Sequence, residues 1–373
     1  MAADSGMPEL VRDTELEAIF YPSASMPQVT VHRRPWSIYA DDTEEWKRVE
    51  RIDHGGSSTV WLEKPVKGVN ALRHGLRVVK ELRTNRSLDY TRELEALAKF
   101  SQGKYREYFV KFYGWFEAPG TLFIATEYHE HGDLMNHIAE YGPLPEVQAH
   151  HITGQILQGL IFMHENHFAH RDIKPANILI SLKPPKHKWR VKICDFGLSR
   201  KFQGNVRSRT IRGTPGFMPP ELISGIGEDV RNADPFLADI WCLGETAFQI
   251  LTGKGTFDNN VGLLNYWNGH SSFPSEPLKR ARVSSRAISF LQSIMTARPL
   301  GRLNAKQAIR HRWMAEPLVP GTEATSSQSN PGLSSNGSTR PSAQWPHTPV
   351  AYEFPETEPP FVLVQKCFVS SKR

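Results

Sequence analysis

The sequence predicts an α+β chain of two unequal lobes: a small β-rich lobe carrying one key helix, followed by a larger, mainly α-helical lobe. Three observations carry that prediction. Short β-branched and aromatic runs follow one another between residues 46 and 128, punctuated by Gly, Pro and Asn. A single amphipathic stretch interrupts them. Beyond Leu134 the apolar spacing becomes helical.

In order, the strand-like runs are Trp46–Ile52, Thr59–Glu63, Arg77–Leu82, Phe109–Phe116 and Thr121–Tyr128. The interrupting helix is expected over Leu88–Phe100, with Leu94, Leu97 and Phe100 on one face. Val147–His164 carries Ile152, Ile156, Leu160 and Met163 at helical spacing, and Ala238–Thr252 and Ser285–Ala297 are further helices, the former stopped by Gly253. Between the helices, Asn177–Ser181 and Arg190–Cys194 read as two strands of a hairpin broken by Pro184-Pro185. The domain is therefore expected at 46–314, divided into lobes at 46–128 and 129–314. Residues 1–45 read as a partly disordered extension, with a short helix over Thr14–Phe20 and a short strand over Gln28–His32. Residues 315–373 are a low-complexity, mostly disordered tail, too poor in apolar side chains to offset chain entropy.

Composition narrows the class. Of 373 residues, 39% are hydrophobic and 23% charged, as in a soluble globular protein. No apolar run approaches the ~20 residues of a spanning helix, so no membrane insertion is expected. The N-terminus lacks the charged-then-apolar pattern of a secretory signal. Cys194, Cys242 and Cys367 are too few and scattered for a disulfide framework or zinc site, and point to the cytoplasm or nucleus. The net charge of +6 is modest, and the basic run Lys183–Arg190 reads better as a solvated hairpin turn than as a nucleic-acid patch, so no nucleic acid is expected as a partner.

The chemistry lies in His170-Arg171-Asp172-Ile173-Lys174-Pro175-Ala176-Asn177 and Asp195-Phe196-Gly197. Asp172 and Asn177 sit on a loop leading into a strand, and Asp195 follows the next strand. A hairpin would bring these loop ends together and supply two carboxylates and an amide, hard oxygen ligands that suit magnesium.

These segments resemble the catalytic and magnesium-binding loops of the eukaryotic protein kinase family, serine/threonine type, for which Lys174 is the indicator. The resemblance implies the bilobal protein kinase fold and transfer of the γ-phosphate of ATP, with Mg2+, to Ser or Thr hydroxyls of protein substrates. Asp172 would accept or position the hydroxyl proton and Lys174 would neutralise charge near the γ-phosphate. Asn177 and Asp195 would hold metal. Further matches follow: Gly213 and Thr214 open a segment resembling the substrate-docking stretch that ends at Glu221. Asp239 would cap the catalytic loop, and Arg302 would pair with Glu221. In the small lobe, Lys80 resembles the phosphate-binding lysine and Glu93 its partner, with Glu95 the alternative. Thr126 resembles the gatekeeper, with Glu127, Tyr128 and His129 as the hinge that adenine would bond, and Ile52, Gly55, Gly56, Val60, Val78 and Leu179 complete the ATP-binding set.

The glycine-rich loop departs from the family. In Ile52–Val60 only Gly55 falls on one of three glycine positions, with Asp53 and Ser58 at the others, which predicts weaker nucleotide binding. A scaffold that keeps the fold with weak or no catalysis is the alternative reading. Arg171 implies control by activation-loop phosphorylation, with Thr210 the acceptor, Ser208 the second choice, and an upstream activating kinase as partner. Asp133 could choose basic substrates, contact a ribose or simply start a helix. Glu127–Leu134 and Phe168–Asp172 are similar to calcium/calmodulin-kinase-type and fungal members, although no calmodulin-target helix is evident after the domain.

Overall fold

A computed structural model describes residues 7–21, 28–33, 43–54, 58–68, 75–83, 90–202, 213–223 and 233–316. Gly55, Gly56, Ser208 and Thr210 lie outside the described residues, as does the tail from 317 onward.

The small lobe is built on a seven-stranded antiparallel sheet ordered β1-β2-β3-β4-β5-β7-β6. Its strands are β1 (Glu17–Tyr21), β2 (Val29–Arg33), β3 (Thr43–His54), β4 (Ser58–Lys67), β5 (Arg77–Arg83), β6 (Phe112–Ala118) and β7 (Thr121–Glu127). Two of these strands precede Trp46. A four-residue helix, α1 (Glu9–Arg12), leads into them. The helix expected over Thr14–Phe20 is thus a strand. Leu16, Ala18 and Phe20 alternate along it and pack on Val79, Phe116, Phe123 and Ala125, so the period-two pattern outweighs local helix propensity. The run expected from Phe109 begins as β6 only at Phe112. Val110 and Tyr108 instead exchange backbone bonds with Ile193 in the large lobe, which pulls this stretch out of the sheet.

Helix α2 (Thr91–Phe100) lies against the sheet and buries Leu94, Leu97 and Phe100 on one face, with Glu93 in its first turn. The large lobe follows with α3 (Leu134–Tyr141), α4 (Glu146–Glu165), the hairpin β9 (Ile178–Leu182) and β10 (Arg190–Ile193), and α5 (Pro235–Thr252). Between α4 and the hairpin runs β8 (Phe168–Ala169), which pairs with β11 (Arg200–Lys201). Short helices α6 (Asn260–Trp267), α7 (Glu276–Arg280), α8 (Ser285–Ile294), α9 (Ala305–Ala308) and α10 (Arg312–Ala315) close the lobe.

Local chemistry sets these boundaries. Asp133 starts α3 by accepting from Asn136 N at 2.8 Å, which is the helix-start role among those open to it. Asp234 caps α5 ahead of Pro235 at N1, and Gly253 ends it at φ +70°, a left-handed conformation that glycine adopts without steric cost. Helix α5 is buried almost along its whole length and packs on α4. Its Gly244 lets α8 approach: a Cβ there would meet Met295 Cγ at 2.3 Å. One hydrophobic cluster runs from α2 and the sheet through α4, β9 and β10 into α5 and α8, so the site between the lobes rests on a continuous core. Among the described residues no helix is long and apolar enough to cross a membrane.

Candidate active site

Strand β5, helix α2 and the loop after β10 converge on one buried lysine. Lys80 Nζ donates to Glu93 Oε1 at 2.8 Å and to Asp195 Oδ1 at 3.3 Å. Glu95, the alternative partner, pairs instead with Lys201 on the outside. Burial alone would strip the charge from Lys80, but Asp195 and Glu93 outweigh it and raise its pKa. The same burial, with Asp195 beside it, raises Glu93 despite Lys80. The three charges hold one another in place.

The catalytic-loop motif forms a compact cluster below. Asp172 Oδ2 accepts from Lys174 Nζ at 2.7 Å and from Asn177 Nδ2 at 3.0 Å, while its Oδ1 accepts from Thr214 Oγ1 at 2.6 Å and Thr214 N at 3.1 Å. Lys174 also donates to the Thr214 hydroxyl at 2.7 Å. Burial works against the Asp172 charge, yet Lys174 and Thr214 together bring its pKa below the ordinary carboxylate value. Asp172 is therefore an ionised acceptor.

The loop is held in an unusual backbone shape. Arg171 and Asp195 have φ of +70° and +58°, left-handed conformations that cost non-glycine residues roughly 1 kcal/mol or more. Asp239, fully buried on α5, offsets this by accepting from His170 N at 2.8 Å and Arg171 N at 2.7 Å. His170 reaches across to Cys194 O at 3.1 Å, tying the catalytic loop to the segment before Asp195. Phe196 packs among the rings of His170, Phe100 and Phe109, so α2 and the Asp195 loop share one aromatic contact.

Ile52, Val60, Val78 and Leu179 are buried members of the common core, from β3, β4, β5 and β9. Thr126 on β7 pairs in register with Val78. The residues after it were expected to bond adenine through backbone groups, and the Glu127 carboxylate in addition organises the segment. It accepts from Lys111 N at 2.7 Å and meets Lys192 Nζ and His129 Nε2, the latter at 3.3 Å. Burial would raise its pKa, and His129 and Lys192 overturn that and pull it to about 2. Tyr128 is half-buried beside it. Lys192 is distant in sequence and carries no motif, which is why sequence reasoning missed it.

Asp53 and Ser58, expected to weaken the phosphate loop, are strand residues on either side of 55–57, opposite Val60 and Leu82. Residues 55–57 lie outside the described residues, as does Thr210, the expected phosphate acceptor for Arg171. At the docking segment, Gly213 has φ +151° and stands where a Cβ would meet Met218 Cγ at 2.9 Å. Glu221 and Arg302 form a buried fork, Nη1–Oε1 at 2.7 Å and Nη2–Oε2 at 3.0 Å. Thr214 was assigned to docking, and the structure also puts its hydroxyl on Asp172.

The protein kinase domain family matches residues 46–314, most of the chain. The chain belongs to the protein kinase family, on its serine/threonine side. It is 31% identical over 290 residues to the serine/threonine-protein kinase RAD53 of Saccharomyces cerevisiae, covering 74% of this chain and 34% of that protein. It is also 31% identical over 238 residues to the serine/threonine-protein kinase ATG1a of Arabidopsis thaliana, covering 62% of this chain and 36% of that one. The chain thus spans about a third of these relatives' lengths. A crystal structure of Rad53 in complex with AMP-PNP is similar with a TM-score of 0.58 at 29% identity, covering 72% of this chain and 65% of that chain. The bilobal kinase fold is therefore shown. In kinase terms, Lys80, Glu93 and Asp195 come from three separate elements and meet within one ion-pair cluster.

Proposed function

We propose that residues 46–314 form an ATP- and magnesium-dependent serine/threonine protein kinase. The single observation that carries this reading is the juxtaposition of an ionised Asp172, braced by Lys174 and Thr214, with the Lys80–Glu93–Asp195 cluster. A scaffold without catalysis has no need to hold so many charges in mutual contact in a buried site. The AMP-PNP complex of the Rad53 relative supports a nucleotide between the lobes.

The donors fit magnesium. Asn177 commits its amide nitrogen to Asp172 O at 2.7 Å and Oδ2 at 3.0 Å, which leaves its side-chain oxygen to a cation. Asp195 engages Lys80 and Gly197 N through Oδ1, leaving Oδ2. Two hard oxygens with phosphates and water completing the shell are what magnesium prefers, and bound there it would neutralise charge on the phosphates. Lys80 adds a fixed cation for phosphate oxygens. Adenine fits the apolar walls Ile52, Val60, Val78 and Leu179, with hinge backbone groups at Glu127–His129 for its polar edge.

A substrate hydroxyl placed against Asp172 attacks the γ-phosphorus. The new O–P bond forms, the hydroxyl proton passes to Asp172, and the bridging O–P bond breaks with its electron pair leaving on ADP. Lys174 and Thr214 keep the carboxylate oriented and charged for that proton. Arg171, at the left-handed turn, is the partner for a phosphate on Thr210, with Ser208 second, added by an upstream kinase.

Labelled ATP with a generic basic protein substrate tests the reading. Wild type transfers phosphate to Ser or Thr, and Asp172→Asn lowers the rate ~10²-fold or more. Equal rates in both would overturn it.

A further inference from the structure

The stretch before the matched domain does more than lengthen the sheet. Thr14–Leu16 runs beside β6: Leu16 N donates to Trp115 O at 2.7 Å and Trp115 N to Thr14 O at 3.1 Å. Since β1 and β6 are the two ends of the strand order, this joins the sheet toward a closed barrel. Gly114 makes room for it, at φ +133° in a bulge of β6. A Cβ there would meet both Thr14 O and Leu16 Cγ at 2.7 Å.

Just upstream, α1 packs on α2. Val11 is 0% exposed, in the same core cluster as Leu94, Leu97 and Phe100, with Met7 and Leu10 packed beside it. The backbone oxygen of Val11 accepts the buried Trp115 indole N–H at 2.9 Å and the Thr14 hydroxyl at 2.7 Å. A four-residue helix has no stability of its own. Its position is imposed by this lock on β6, and the helix it packs against is the one that carries Glu93.

We propose that α1, seated by Val11 and Trp115, is a built-in brace that positions α2 so that Glu93 stays on Lys80. Val11 and Trp115 are positioning residues. They act through the ion pair and touch neither nucleotide nor substrate. The inference rests on the kinase reading for its effect on rate, but its structural half does not. Removing the brace leaves α2 free to swing with its buried face partly uncovered, and Lys80 then loses the carboxylate that fixes it.

The experiment uses the full chain with Val11→Asp, Glu93→Gln and both together. The brace acting through Glu93 predicts that Val11→Asp lowers kcat about tenfold or more in the wild-type background and less than about twofold in the Glu93→Gln background. It also predicts faster amide exchange in α2 with unchanged protection of α5. Multiplying effects, or unchanged α2 exchange, would overturn the proposal, because a merely structural loss is blind to Glu93. Should Val11→Asp unfold the small lobe, Trp115→Phe decides, since it keeps an aromatic ring, though a smaller one, and deletes the bond to Val11 O. Its exchange and rate are read in the same way. If wild type transfers no phosphate, the kinase reading falls by itself, and α2 exchange in the variants still decides the brace.

Discussion

Acid should loosen the small lobe through His32, one buried side chain on β2. Its Nε2 lies 3.0 Å from Arg77 Nη1, and its Nδ1 lies 3.3 Å from Glu17 O. Arg77 can only donate, so Nε2 must accept and the proton must sit on Nδ1, which donates to the β1 carbonyl. Arg77 cannot move away, being buried, bonded through Nε to Glu63 at 2.9 Å and stacked 4.1 Å from the Trp46 ring. Burial first, and the Arg77 charge second, therefore lower the His32 pKa from its usual 6.5 to about 3. Below the usual value the unfolded chain takes up a proton that the folded chain refuses, so stability is full above about pH 6.5 and drains as pH falls toward about 3. At 1.36 kcal/mol per unit, a drop from about pH 7.5 to about pH 5 costs about 2 kcal/mol. Urea unfolding of wild type and His32→Gln at both pH values isolates this share, because other groups titrate alike in each. The variant should start less stable and lose about 2 kcal/mol less across the interval. Parallel losses in the two proteins would refute the argument.

Three further outcomes follow from the site. Arg302→Met should cost about 3–5 kcal/mol by thermal unfolding, since it leaves Glu221 charged in a buried position. Thr214→Val should move the acid limb of the kcat/KM profile to higher pH, because Asp172 loses a donor that lowers its pKa; an unmoved limb would show that Lys174 suffices. The small Thr126 side chain predicts a deep pocket behind adenine. A bulky ATP-competitive inhibitor should therefore lose about tenfold or more in affinity on Thr126→Phe, by titration calorimetry, while an inhibitor confined to the adenine slot should not.

Much of the catalytic centre is legible in the sequence because its residues are fixed by chemistry. Phosphoryl transfer requires particular carboxylates and cations, so Lys80, Asp172, Asn177 and Asp195 stand in recognisable settings. Contacts that depend only on where distant segments meet leave no such mark. Lys192 on Glu127 is one case, and Thr214 on Asp172 is another, since nothing in a Gly-Thr-Pro string specifies a partner 42 residues away. The misread Thr14–Phe20 segment shows a different limit. Seven residues with Leu16, Ala18 and Phe20 apolar satisfy a strand as well as a short helix, and pairing with β2 and Trp115 decides between them. The helix α2 was visible from its apolar face, yet the brace behind it was not, because α1 alone is too short to announce itself.

The joining of Thr14–Leu16 to Trp115 also bears on self-association. An antiparallel sheet that stops leaves rows of unpaired N–H and C=O groups, which can template addition of a strand from another molecule. Here the first strand region and the last strand satisfy part of each other's bonding. Any cleavage or substitution that frees the N-terminal stretch therefore does two things at once. It bares the rim of β6, and it uncovers Phe116 and Phe123, which Leu16 and Phe20 help to cover, so that loss of the segment turns a closed surface into a sticky one.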